Sequence, residues 1–490
     1  MKKLLLASLL LASFAASAQK NTLLEQEFWK NSPDVKTIQA EIDKGNNPAQ
    51  LTVNSFDAVV YAINAQAPNE SIKYLLQQKG NDVNKLTHDS RTYLFWAANR
   101  GNAEIVEYLI SKGAKANITD SHGFSPLNFA AASGQTNTQV YDILIKNGAD
   151  LKKDVNTEGA NALLLAISAD KNFALTNYFE SKGLNLKSTD ANGNTAFNYV
   201  ARSGNVELLK ALVQKGVKYN DNAFIMAAQG GRGSSNTLAV YEYLEGLNLK
   251  PGFTDKDGAN VLHYLARKPK QSDIINHFIA KGVDLNQADK DGNTPFMNAA
   301  ASNNDLQLIE QLSAGVKNIN HTNAKGVSAL AMAVRGNSPE VVSLLISKGA
   351  DINITDSNGD NLTAYLIQSY NERRADGFDA KVKLLQEKGF DLSAPQKNGN
   401  NVYHLAVAKN DLTLIKKVQN FKADINGKNK EGLTALHKAA MIAHDDTIMQ
   451  YLLSSGAKKD ILTDLKETPF DLASENEYLS KNKIPVNFLK

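Results

Sequence analysis

The chain is 490 residues long, more than one globular core ordinarily holds, so it is either several domains or one long repeat array. Apolar residues make up 42% and charged residues 21%, a balance that argues against disorder and against a multi-span membrane protein. The absence of cysteine excludes disulfides, thiolate metal sites and a cysteine nucleophile, and a formal charge of +3 gives no electrostatic case for nucleic acid.

The first residues read as an address. Lys2 and Lys3 form a basic start, Leu4 to Phe14 a short apolar run, and Ala16-Ser17-Ala18 an A-x-A cleavage site. The apolar run is shorter than the roughly 20 residues that span a bilayer. Residues 1–18 are therefore expected to be a Sec-type signal peptide cleaved after Ala18. The mature chain is expected to be soluble and either periplasmic or secreted, with no membrane span.

Beyond this segment one glycine recurs, usually after a lysine, at the end of an amphipathic run: Gly45, Gly80, Gly113, Gly148, Gly183, Gly216, Gly246, Gly282, Gly315, Gly349, Gly389 and Gly456. Most steps are 33 to 36 residues, and Lys422 stands at the one missing place, which makes thirteen units. A second glycine runs in phase in Asp-x-x-Gly or similar turns, at Gly123, Gly159, Gly193, Gly258, Gly292, Gly326, Gly359, Gly399 and Gly432. In the stretch Asn337 to Gly349, Ser338 is a natural N-cap and Pro339 suits the first helical position. Glu340 and Lys348 complement the two ends of the dipole, and Val341, Val342, Leu344, Leu345 and Ile346 make an apolar face. Each unit reads as turn, short helix, tight loop, longer helix and glycine stop.

The core of several units is Thr294-Pro295-Phe296-Met297-Asn298-Ala299-Ala300, Thr434-Ala435-Leu436-His437-Lys438-Ala439-Ala440 and Ser125-Pro126-Leu127-Asn128-Phe129-Ala130-Ala131. With the period and the glycines, this resembles the ankyrin repeat family. The resemblance implies an all-α solenoid of about 13 helix–turn–helix units, with Thr468-Pro469-Phe470-Asp471-Leu472-Ala473 opening a C-terminal capping half-unit. The expected organisation is degenerate N-terminal units over 19–84, a repeat array over 85–461 and a cap over 462–490. Two units depart from the pattern. The unit at Asn222-Ala223-Phe224 has no turn glycine and carries Gly230-Gly231-Arg232-Gly233 in its loop, and the unit after Gly359 has an insertion from Tyr370 to Phe378.

Catalytic motifs are missing. The eight histidines, His88, His122, His263, His277, His321, His404, His437 and His444, include no pair at metal-binding helical spacing and no His-Glu-x-x-His run. The resemblance gives His263, His404 and His437 a structural role, bonding the neighbouring turn backbone. No Gly-x-Ser-x-Gly elbow and no phosphate-binding Gly-x-x-x-x-Gly-Lys loop occurs. No catalytic residue, metal or cofactor is expected, and the chain is not expected to be an enzyme.

The resemblance implies that turn tips and inner helices line a concave groove where partners dock. In register with the repeat, Arg91 falls at a tip, and Arg100, Arg202, Arg267 and Arg335 fall at the ends of inner helices. A bulky stripe lies close by in Trp96, Phe129, Tyr199, Met226, Tyr264, Met332 and Tyr365, a slot that apolar residues commonly fill as packing between units. Aromatic residues with arginine are also the mix enriched at interface hot spots. The leading expectation is a monomeric scaffold that binds another protein through an acidic or mixed surface. The alternatives are a binder of envelope glycan or another non-protein ligand, stacking on Trp96, Tyr199 and Tyr264, and a host-directed secreted effector.

Overall fold

The computed structural model describes residues 20–231 and 235–490. The signal segment, and Arg232 and Gly233 of the glycine-rich loop, lie outside the described residues. The described residues form 28 α-helices and five short 3-10 turns, with no strand beyond the isolated bridges Thr189–Thr195 and Thr322–Ser328. The helices pair off as thirteen units and a fourteenth pair, Pro469–Glu475 and Glu477–Lys481, whose second helix is five residues long. The chain divides into two compact units, one ending at Leu244 and the other starting at Glu245.

Local chemistry explains each pair. In the tenth repeat the inner helix Ala329–Gly336 is capped by Ser328, whose hydroxyl accepts from Ala331 N at 3.2 Å. The outer helix Pro339–Ser347 is capped by Ser338, with proline at its first position. Gly349 then ends the pair at φ +91°, a conformation that costs glycine little and other residues more. The outer helices bury a narrow stripe at i, i+1 and i+4: Val341, Val342 and Leu345 here, Leu208, Leu209 and Leu212 in the sixth repeat, Ile274, Ile275 and Phe278 in the eighth. Burying each such side chain is worth roughly 1.5–3 kcal/mol, and one helix pair has no second layer of its own to bury them against.

Polar side chains fix the stacking register. Asn320 Oδ1 accepts from Asp351 N at 2.8 Å while its Nδ2 donates to Gly349 O at 3.3 Å, so one amide satisfies both backbone groups of the next repeat. The same two-sided clamp recurs at Asn84, Asn286 and Asn426. Successive turns also bond directly, Ala324 N to Asp291 O at 2.8 Å and Ser357 N to Lys325 O at 2.9 Å. Gly326 needs its missing side chain there, since a Cβ would sit 2.6 Å from Ser357 N.

The two irregular repeats differ in kind. The seventh dispenses with a turn, and its inner helix Asn222–Gln229 begins directly after Asp221, whose neighbour Asn220 donates to Gly193 O at 3.0 Å. The eleventh extends its outer helix to thirteen residues, Ala375–Glu387, preceded by the 3-10 turn Glu372–Arg374, with Tyr370 packed edge-on against Phe378.

Candidate partner-binding face

The turn aspartates are structural. In eight of the turns one carboxylate or amide oxygen accepts from the backbone N–H groups two and four residues on, as Asp190 does from Asn192 and Asn194 and Asp356 from Asn358 and Asp360. The second oxygen of Asp190, Asp255 and Asp356 receives a tyrosine hydroxyl from the inner helix nine residues later: Tyr199, Tyr264 and Tyr365. Trp96 makes the equivalent bond to Thr87 at 2.9 Å. The sequence carries this signal as Asp and Tyr at a fixed separation of nine, which the reading of the stripe alone does not use.

The aromatic stripe is therefore mostly tether and packing. Trp96, Tyr199 and Tyr365 are 8%, 6% and 4% exposed, and Met226 and Met332 are buried with them. Burial beside the aspartates pushes the Tyr199 and Tyr365 hydroxyls well above the usual tyrosine range, so they stay protonated donors. As a correction to the sequence expectation, Trp96 and Tyr199 present no free ring face on which a glycan could stack. Phe129 and Tyr264 are half-buried.

The histidines behave as structure. His263 and His404 each bond their own N-cap asparagine through Nδ1 and the next repeat's turn carbonyl through Nε2, at 3.1 Å to Asn293 O and 2.9 Å to Leu433 O. His437 bonds Thr434. Burial lowers the basicity of all three, which favours the neutral ring. Among the described residues no group of three or more His, Asp or Glu is placed to hold a metal, and no helix is long and apolar enough to cross a membrane.

The five arginines separate into different roles. Arg91 is not a free tip. It is 8% exposed, its Nε donates to Asp120 at 2.8 Å, its Nη1 lies 3.0 Å from Asp89, and its guanidinium sits 4.1 Å from the Phe129 ring centroid. Asp120 is itself buried, so Arg91 neutralises a carboxylate across a repeat boundary. Arg202 is half-buried and donates to Gln229 Oε1 at 2.6 Å. Arg100 is exposed, bonds Asn64 at 3.1 Å, and borders a cavity of about 460 Å³ with Trp29, Phe56 and Tyr61.

Arg267 and Arg335 are exposed and lie on one notch of about 430 Å³. Ala301 occupies the register position between them, one repeat from each, and its small side chain leaves the notch open. Arg267 is aimed by Asn298, a buried amide that accepts from Nη2 at 2.7 Å and donates to His263 O at 3.1 Å. Arg335 makes no hydrogen bond or ion pair among the described residues. Lys325 adds a third cation from the turn, and Asp291 is the one acid at the rim.

A family model for ankyrin repeats (3 copies) matches residues 59–155, 139–223, 262–356 and 403–483. Among curated proteins, the chain is 21% identical over 466 residues to the human transient receptor potential cation channel subfamily A member 1, covering 93% of this chain and 35% of the channel. It is 27% identical over 222 residues to human neurogenic locus notch homolog protein 1, covering 43% of this chain and 8% of that protein, and 25% identical over 305 residues to the Arabidopsis thaliana E3 ubiquitin-protein ligase KEG, covering 56% and 18%. The chain thus spans well under half the length of these relatives. A solved structure of the ankyrin repeat domain of Bcl-3 is similar at 20% identity and a TM-score of 0.34, covering 46% of this chain and all of that domain.

Proposed function

Because the chain belongs to the ankyrin repeat family, we propose that it is a non-catalytic scaffold that holds a partner protein against the face made by its turns and inner helices. Ankyrin repeats generally serve protein–protein interaction, and fold alone does not name the partner. The observation that carries the reading is the notch at Ala301. Two exposed arginines and a lysine surround a gap that the repeat pattern does not require, and one of the arginines is held in place by a buried amide. A guanidinium with unused donors on an accessible face suits a carboxylate on the partner. The signal-like segment Lys2 to Ala18 supports a periplasmic or secreted site of action.

The test is affinity capture from the native envelope fraction, read by mass spectrometry, with the wild-type chain beside an Arg267→Glu/Arg335→Glu double variant. A protein retained by the wild type and lost by the folded double variant is the expected result. Equal retention of the same proteins by both chains overturns the reading.

A further inference from the structure

Another cavity, of about 560 Å³, opens on the loop side of Arg335 and is lined by residues of the eighth to eleventh repeats. Its lining includes two cations, Arg335 and Lys381, and no carboxylate. Lys381 belongs to the lengthened helix Ala375–Glu387 of the irregular eleventh repeat and is only 6% exposed. Its Nζ donates to Val334 O at 2.8 Å, near the C-terminal end of the inner helix Ala329–Gly336. An ammonium has three N–H donors, so two are left over. Among the described residues no carboxylate shares the cavity lining with it, and burial disfavours its charge. A buried cation without a counter-charge is costly, and an anion in the adjoining space would offset that cost.

The neighbouring polar groups narrow what could enter. Asn337 and Asn303 spend their amides on backbone groups, Asn337 on Ala300 O and Asn303 O, and Asn303 on Ala266 O and Lys268 O. Ser338 is occupied as the cap of the nine-residue helix Pro339–Ser347, whose positive end borders the cavity. Glu340, on that first turn, is drawn to Ser338 and lies outside the lining. The strong donors left free are the Arg335 guanidinium and the Lys381 ammonium, a planar fork beside a point charge, which suits a phosphate group. The space exceeds what one phosphate fills, and Ser302, Asn304 and Ser369 line the rest with polar groups.

We propose that this cavity binds a small molecule carrying a phosphate on a hydroxyl-bearing body, held at the phosphate by Arg335 and Lys381. The site adjoins the Ala301 notch and shares Arg335 and Ser302 with it, but it does not depend on a partner protein occupying that notch.

The test is calorimetric titration of the full chain with glucose 6-phosphate, inorganic phosphate, glucose and citrate. Glucose 6-phosphate is expected to bind more tightly than inorganic phosphate, and glucose not at all. Arg335→Gln and Lys381→Met should each weaken the glucose 6-phosphate interaction by about tenfold or more, the loss expected for a charge-assisted bond. Lys348→Ala, on the outer face and paired with Glu310, should leave it unchanged. Three results overturn the proposal: no binding of either phosphate at about 10 mM, a concentration that would reveal even millimolar affinity; unchanged affinity in Arg335→Gln; or citrate bound more tightly than both phosphates. Arg335 is exposed and unpaired, so that variant decides the matter even if Lys381→Met fails to fold.

Discussion

Tyr199 donates its hydroxyl to Asp190 Oδ2 at 3.0 Å, tying an inner helix to the turn that precedes it. Asp190 is 5% exposed, and its Oδ2 has one other donor, Asn194 Nδ2 at 2.8 Å. Tyr199→Phe keeps the packed ring and removes only the hydroxyl, leaving a buried carboxylate short of a donor. The expected cost is about 1–3 kcal/mol, read as a lower denaturant midpoint, with partner capture unaffected. No change in the midpoint would mean that water replaces the hydroxyl and that the tether contributes nothing.

Arg91 and Arg335 share a residue type and differ in what surrounds them. Arg91→Ala strands the buried Asp120 carboxylate and removes the guanidinium from Phe129. A loss of about 3–5 kcal/mol is expected, as for breaking one side of a buried pair. Arg335→Ala removes an exposed, unbonded side chain and should stay within about 0.5 kcal/mol of wild type. Chemical denaturation of the two variants side by side checks the distinction, and equal midpoints would refute it.

The contrast between these two arginines shows what the sequence made legible. Period, helix ends and turn aspartates were readable because backbone demands for caps, φ > 0 and N–H acceptors act within a few residues. The register of Arg267, Ala301 and Arg335 was readable for the same reason, since it is the period itself. Exposure was not. Arg91 is buried because Asp120 stands 29 residues away in the next turn, and Arg202 is half-buried because the turnless seventh repeat brings Gln229 alongside. Lys381 was equally hidden, since an insertion breaks the register by which its neighbours could be inferred.

The three buried histidines predict an acid-labile array. Burial pushes His263, His404 and His437 below the ordinary value of 6.5 in the folded chain. Above that value both folded and unfolded chains carry neutral rings. Below it the unfolded chain takes up protons that the folded chain refuses, so stability falls until the pH reaches the lowered folded values. Denaturant midpoints should therefore drop between about pH 7.5 and pH 5.5. His404→Asn should lower stability at neutral pH, because the bond to Leu433 O is lost, yet make the slope with pH shallower. A slope as steep as wild type would show that His404 does not contribute to it.

The Ala301 notch allows shape and charge to be separated. Charge reversal at Arg267 or Arg335 acts through a field that salt screens over roughly 10 Å at about 0.1 M ionic strength, so its effect on partner capture should shrink as salt rises. Ala301→Leu changes no charge and places three extra carbons in the gap between the arginines. Ala301 is half-buried at the notch wall rather than enclosed in the core, so stability should shift by less than about 1 kcal/mol. If a partner side chain enters the notch, Ala301→Leu should weaken capture at every salt concentration, by about tenfold or more where that side chain is a central anchor. If the arginines act only by steering, Ala301→Leu should bind as wild type while the charge reversals slow association at low salt. Association and dissociation rates of the three variants across a salt series distinguish the two cases. Wild-type rates for all three would remove the notch from the interface.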